Sequence, residues 1–319
     1  MLFSLGLVSI GIIALIKGAD WLVSGGASVA KRFGIPNIVI GLTIVAFGTS
    51  APELVVNLLA AFSGQTDIAV ANVIGSNIAN ILLILGVSSL IFPLTVKNNT
   101  VWKEIPLALL AVAAVWVMGN DALIDGMNFN MLTRTDGLML FSLFIVFLYY
   151  TYSISKTDAK GESDEIEGFT VSKSLILIGA GLLGLFVGGK WVVDGAVSLA
   201  LQLGMSQGLV GLTVVAIGTS LPELVTSITA ALKKQSDIAI GNVVGSNIFN
   251  VFWILGLSST LNPLPVSAAA NQDILVALVA SILLFVFCFI GKRHVLERWQ
   301  GGLFIVLYVL YMGAIVIRG

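Results

Sequence analysis

The chain is poor in charge. Its 319 residues hold 16 Lys and Arg and 17 Asp and Glu, 10% in all, where a soluble domain carries roughly 25%. So few charges cannot clothe a water-exposed surface of this size, and a soluble enzyme is excluded. Cysteine is almost absent. Cys288 stands alone in an apolar run, so no intrachain disulfide can form. Histidine occurs once, as His294 in a basic stretch. An intramembrane Ser–His hydrolase would therefore lack its base. No basic patch points to nucleic acid, and the net charge of −1 points to no charged partner.

Apolar residues make up 57% of the chain, and its mean hydropathy is +1.04. The apolar runs are continuous, as at 277–290 and 303–317. A membrane β-barrel would instead alternate over segments of about ten residues. The expected fold class is therefore an all-α polytopic membrane protein. At roughly 20 residues per span, there is room for about ten transmembrane helices. The pattern predicts them at 2–32, 36–63, 68–92, 102–118, 135–155, 171–203, 207–233, 238–262, 272–291 and 299–317. The first and sixth exceed a perpendicular span, which implies tilt. The N-terminal run has no Lys or Arg before Lys17 and no small-residue cleavage site, and reads as a spanning helix rather than a leader.

An internal repeat dominates the sequence. GLTIVAFGTSAPELVVN at 41–57 matches GLTVVAIGTSLPELVTS at 211–227 in 12 of 17 positions. DIAVANVIGSNIANILLILG at 67–86 matches DIAIGNVVGSNIFNVFWILG at 237–256 in 13 of 20. Both blocks are offset by 170 residues, and Trp21 and Trp191 keep that register. The chain thus divides into a first five-helix repeat at 1–154, a linker at 155–170 and a second repeat at 171–319.

Charge distribution sets the orientation. With the N-terminus outside, twelve Lys and Arg fall in inside loops and only Arg134 and Arg318 outside. Both termini are then external, and the linker, with Asp158, Glu162, Asp164, Glu165 and Glu167, is cytoplasmic. Its acidic run reads as a solvated connection. Five is odd, so the second repeat enters the membrane from the opposite face. Inverted repeats of this kind mark secondary transporters, with the site near the midplane.

Charges at membrane depth are costly and functional by default. Lys17 with Asp20, and Lys190 with Asp194, are spaced to pair on one helical face. Glu53 and Glu223 differ, because neither has a basic residue within a turn or two. Two such carboxylates must be protonated or must hold cations. Each follows a helix-breaking segment, GTSAPE at 48–53 and GTSLPE at 218–223. Pro removes a backbone donor and clashes with the preceding turn, which frees carbonyls near Ala46–Thr49 and Ala216–Thr219. Irregular backbone at this depth belongs to a cavity or a protein interior. In the second block, Ser76 and Asn80 share one face, as do Ser246 and Asn250. Gly75 and Gly245 admit close helix approach. Oxygen-only donors favour Ca²⁺, Mg²⁺, Na⁺ or K⁺. A compact site with two carboxylates suits Ca²⁺, or two or three Na⁺.

These motifs, GTSAPE with GSNIAN at 75–80 and GTSLPE with GSNIFN at 245–250, resemble the sodium/calcium exchanger family of the calcium:cation antiporters. The resemblance runs over the whole chain and implies ten helices around a rigid core, with the first and sixth sliding past it. It implies Ca²⁺ held by Glu53 and Glu223 with the carbonyls of Thr49 and Thr219. It implies Na⁺ sites that add Ala46, Ser50, Ser76, Ala216, Ser220 and Ser246, with Asn80 and Asn250 lining the centre. The implied activity is Na⁺-driven Ca²⁺ extrusion across the plasma membrane, with no cofactor, no enzyme activity and no obligate protein partner. The partners would be the two ions and the lipid bilayer. H⁺-coupled cation exchange would use the same two glutamates, and K⁺-dependent exchange is a further alternative. Members of the family often carry Asp where this chain has Asn250, so fixed charge would come from the two glutamates alone.

Overall fold

The computed structural model describes residues 2–63, 66–156, 168–203 and 216–318, with the side chains at 2, 66–68 and 216–217 outside that description. The acidic linker residues and the expected helix start at 207–215 therefore lie outside it. The described chain is predominantly helical. Its longer helices are α1 (Leu2–Phe33), α2 (Asn37–Thr49), α3 (Ala51–Ser63), α4 (Ala69–Ile91), α5 (Thr100–Met118), α6 (Arg134–Ser155), α7 (Val171–Gln202), α8 (Leu221–Leu232), α9 (Ser236–Leu261), α10 (Ala268–Phe287) and α11 (Arg298–Arg318). Among the described residues, eight are long and apolar enough to cross a membrane, or nine if α2 and α3, bent by 46° at Ser50, form one span.

The hydrophobic runs place these helices to within a few residues. The largest difference is α10, expected at 272–291. It starts earlier because the Ser267 hydroxyl accepts from the Ala270 amide as an N-cap. It stops at Phe287, ahead of a turn with positive φ at Gly291 and His294. Four two-residue strands went unforeseen, because two residues carry no readable alternation. β1 (Leu94–Thr95) pairs antiparallel with β4 (Val295–Leu296), and β2 (Met131–Leu132) with β3 (Leu264–Pro265). Each pair ties one half of the sequence to the other.

The core is built on α4 and α9. The apolar window of α9 is 94% buried, against 22% for α11. Two stretches of these core helices are π-helical, Ala79–Leu85 and Phe249–Leu255. The extra residue per turn in such segments is a recurrent feature of functional sites. Gly245 lets α9 cross α2 closely, since an added Cβ would meet Leu42 Cα at 2.9 Å and the Ala46 Cβ at 2.8 Å. No described atom lies within 4 Å of a Cβ at Gly75. The residue equivalent to Leu42, at 212, is outside the description, so the matching contact expected for Gly75 has no described partner.

Outside the core, α1 and α7 pack together along their lengths. Gly11 faces Gly188, Gly18 faces Gly181 and Gly25 faces Ser174, so the two helices run antiparallel. The small residues bring backbone against backbone.

One pairing differs from expectation. The Asp20 carboxylate meets Lys233 at 2.6 Å, rather than being neutralised by Lys17 one turn away. Lys233 also reaches the Asp20 carbonyl at 3.2 Å and the Ser24 hydroxyl. A long side chain at the end of α8 outcompetes a short-range neighbour because it also collects these two oxygens. Lys190 and Asp194 pair as expected, at 2.8 Å.

The α1–α7 contact yields a prediction. A Cβ at Gly18 would lie 2.8 Å from the Gly181 carbonyl oxygen and the Leu185 nitrogen. Gly18→Val should lower the detergent-solubilised melting temperature by about 5 °C, the scale of ~1–3 kcal/mol for overpacking. Gly6→Val, with nothing within 4 Å, should leave it unchanged. Equal melting of the two variants would refute close packing at Gly18.

Candidate cation site

Chain breaks place the two glutamates. α2 ends at Thr49, and Ser50 leaves helical geometry with φ −82° and ψ 5°. Ser220 does the same in the second half, at φ −88° and ψ 6°, between the helical turn Ala216–Thr219 and α8. Pro52 and Pro222 follow in the first turns of α3 and α8. There the absent N–H is no loss, because the first helical amides lack carbonyl partners in any case. Glu53 and Glu223 come one residue later, each 1% exposed.

The serines at the breaks link the halves. The Ser50 hydroxyl donates to Glu223 Oε1 at 3.1 Å. The Ser220 hydroxyl donates to Ser76 Oγ at 3.4 Å, and Ser76 donates to Glu53 Oε1 at 3.3 Å. Each carboxylate is thus tied, directly or through one hydroxyl, to the break of the opposite half.

The threonine before each break behaves differently. The Thr49 hydroxyl donates to Asn242 Oδ1 at 3.0 Å and approaches the Ala46 carbonyl at 3.3 Å. The Ala46 carbonyl also accepts from the Ser50 amide at 3.0 Å. That bond keeps the carbonyl engaged, where the proline kink alone would free it. Ala216 opens the matching turn, and Thr219 closes it.

The remaining expected residues lie on the crossing core helices. Ser76 and Asn80 are on α4, Ser246 and Asn250 on α9, all buried. Asn80 donates to Asn247 Oδ1 at 2.9 Å, and Asn250 to Asn77 Oδ1 at 3.0 Å. Among the described residues, six oxygens of this set are buried without a hydrogen-bond partner. They are Glu53 Oε2, Glu223 Oε2, Asn80 Oδ1, Asn250 Oδ1, Ser246 Oγ and Thr219 Oγ1. A buried acceptor with no donor costs about 1–3 kcal/mol, and more when charged. Six within one set of residues is an arrangement that a cation would satisfy and an apolar core would not.

Basic side chains do not fill that role. Among the described residues, the ion pairs join Lys97 to Asp237, Lys190 to Asp194, Lys233 to Asp20 and Arg318 to Asp273. None of these involves Glu53 or Glu223. Among the described residues, no three His, Cys, Asp or Glu side chains converge, so the donors here are carboxylate, amide and hydroxyl oxygens.

Three residues of this network were missed in the sequence. Asn77 and Asn247 bond across the centre. Asn242 accepts from Thr49 and donates to the Glu223 carbonyl at 3.2 Å and to Ser227 at 2.9 Å. The signal was present: Asn72 with Asn242, and Asn77 with Asn247, are polar residues kept at the 170-residue offset inside apolar helices.

Long apolar helices around a buried, oxygen-rich centre are the architecture of a polytopic membrane protein, and the family match places it among transporters rather than enzymes. The family model described as "Sodium/calcium exchanger protein" matches residues 3–153 and 173–317, and the chain belongs to that family. It is 37% identical over 315 residues to an uncharacterized membrane protein of Methanocaldococcus jannaschii, covering 99% of each chain. It is 30% identical over 336 residues to the sodium/calcium exchanger MaX1 of Methanosarcina acetivorans, covering 95% of each. A solved structure of the sodium-calcium exchanger NCX_Mj, soaked with 10 mM Na⁺ and zero Ca²⁺, is similar with a TM-score of 0.85 at 36% identity, covering 98% of both chains.

The two carboxylates give a direct prediction. Glu53→Gln or Glu223→Gln removes one buried charge while keeping shape. Either should weaken Ca²⁺ binding at least ~100-fold, roughly the worth of a charge-assisted contact in a dry site. Neither should lower the melting temperature of ion-free protein, because a lone buried charge is itself destabilising. Titration calorimetry and thermal melts on the same samples check both statements.

Proposed function

We propose that this chain is a secondary active antiporter that exchanges Na⁺ for Ca²⁺ by alternating access, in the direction of Ca²⁺ extrusion. The observation that carries the reading is the set of six buried oxygens without a hydrogen-bond partner among the described residues, two of them carboxylate, drawn from both halves of the chain. Ca²⁺ accepts six to eight oxygens in flexible geometry, whereas Mg²⁺ dehydrates reluctantly. In this reading Ca²⁺ is held by Glu53 and Glu223 with the carbonyls of Thr49 and Thr219. Na⁺ uses these with Ala46, Ser50, Ser76, Ala216, Ser220 and Ser246, while Asn80 and Asn250 line the centre. Fixed charge of −2 is neutralised by one Ca²⁺. Three Na⁺ would leave a net +1, so exchange at that ratio moves charge. The family match and the name of the relative MaX1 support these two ions as substrates.

The accompanying architecture is ten spans in two inverted five-helix repeats, 1–154 and 171–319, joined by a cytoplasmic linker at 155–170. The antiparallel run of α1 against α7 supports it, because equivalent helices of inverted copies must oppose. These two helices would slide along the α4–α9 core to expose the site alternately. The protein would sit in the plasma membrane, and the twelve-to-two charge split supports placing both termini outside.

Ca²⁺ uptake into proteoliposomes loaded with Na⁺ tests the coupling. An outward Na⁺ gradient should drive uptake above a choline control, with no requirement for K⁺. Uptake equal to the control, with Ca²⁺-driven quenching of an entrapped pH dye, would replace Na⁺ by H⁺. Asn250→Asp should shift the Na⁺ and Ca²⁺ concentration curves, because an ionised Asp would set acceptor against acceptor at Asn77 Oδ1. Superimposable curves would remove Asn250 from the ion path.

A further inference from the structure

Asn77 and Asn247 occupy the point where α4 and α9 cross. They are 0% and 2% exposed and stand 170 residues apart in repeat register. Asn77 Nδ2 donates to the backbone carbonyl of Asn247 at 3.3 Å, and Asn247 Nδ2 to the carbonyl of Asn77 at 3.5 Å. A backbone carbonyl can only accept. Each amide therefore has its nitrogen committed to the opposite backbone, and its oxygen must lie on the other side. Those oxygens meet the next pair of asparagines. Asn77 Oδ1 accepts from Asn250 Nδ2 at 3.0 Å, and Asn247 Oδ1 from Asn80 Nδ2 at 2.9 Å. With their nitrogens engaged, Asn80 and Asn250 are left with Oδ1 buried and facing no described donor. A flipped Asn250 would put oxygen against oxygen at the Asn77 contact and offer N–H where oxygen now stands. An N–H donor cannot ligate a cation.

We propose that Asn77 and Asn247 are positioning residues that fix the amide orientation of Asn250 and Asn80, so that both present oxygen, not nitrogen, to the transported cation; this rests on the antiport reading above. Orientation passes outward from the backbone, through the crossing pair, to the central pair. Cation preference at the centre then depends on two residues that themselves touch no ion.

A double-mutant cycle read by Ca²⁺ titration calorimetry in Na⁺-free buffer tests this on the purified full chain. The proteins are wild type, Asn77→Ala, Asn250→Ala and the double variant. Asn77→Ala should weaken Ca²⁺ binding about tenfold, and the double variant should match Asn250→Ala within about twofold, the non-additivity of residues acting through one another. Unchanged affinity in Asn77→Ala overturns the proposal. So does a double variant whose loss is the product of the singles, which is the signature of a merely structural role. If Asn77→Ala does not fold, the mirror cycle of Asn247→Ala with Asn80→Ala decides by the same criteria, and failure of that variant to fold also overturns the proposal. A wild-type protein that binds no Ca²⁺ brings down the antiport reading first and this proposal with it, whereas wild-type binding with an additive cycle removes only the orienting role.

Discussion

Two carboxylates sit buried among long apolar helices, with no basic side chain paired to them among the described residues. Each of Glu53 and Glu223 would be unstable there as a bare anion, and their mutual repulsion adds to the cost. The surrounding structure answers that constraint. Helices break at Ser50 and Ser220, and the hydroxyls of these two serines join the carboxylate network. The core helices widen to π geometry beside them at Ala79–Leu85 and Phe249–Leu255. Glu223 accepts from Ser50 of the opposite half, and Glu53 is linked through Ser76 to Ser220 of the opposite half. A site assembled this way cannot be rearranged in one half without disturbing the other.

The scaffold divides by the kind of contact it makes. The core helices α4 and α9 are joined by reciprocal, directional hydrogen bonds that specify one geometry. The α1–α7 pair is joined by a stripe of glycines, where close packing constrains distance but offers no directional register. Such an interface tolerates sliding better than an asparagine lattice does. The two halves also diverge at this periphery. In repeat register Asp20 and Ser24 correspond to Lys190 and Asp194. In the first half Asp20 and Ser24 are held by Lys233 from α8, whereas Lys190 and Asp194 hold each other on α7. The centre is shared by both halves, while each outer helix meets neighbours of its own.

Most helix positions were readable because each is a long apolar run, and long periodic elements leave little ambiguity. The candidate residues were readable because the repeat prints them twice. Three things were not. The two-residue strands have no period to detect. The Asp20–Lys233 pair joins residues 213 positions apart, and the local i,i+3 rule favoured Lys17 instead. The roles of Asn77 and Asn247 depend on which atom of each amide faces which carbonyl, and no spacing rule carries that information. The kink at Pro52 was readable, but not the hydrogen bond from the Ser50 amide that keeps the Ala46 carbonyl engaged.

The asparagine lattice also bears on charge. Four amides at the crossing add polarity without adding charge, so the fixed charge of the centre remains that of the two glutamates. An acidic residue at 250 would face Asn77 Oδ1, an oxygen already turned toward it by the Asn247 backbone. It could keep that contact only by carrying a proton. Asparagine satisfies the same contact without one, and it leaves an oxygen over for a cation. In the antiport reading proposed above, the choice of amide at both 80 and 250 therefore separates two tasks that a carboxylate would merge: the glutamates would set how much positive charge the centre takes, and the asparagines would shape where it sits.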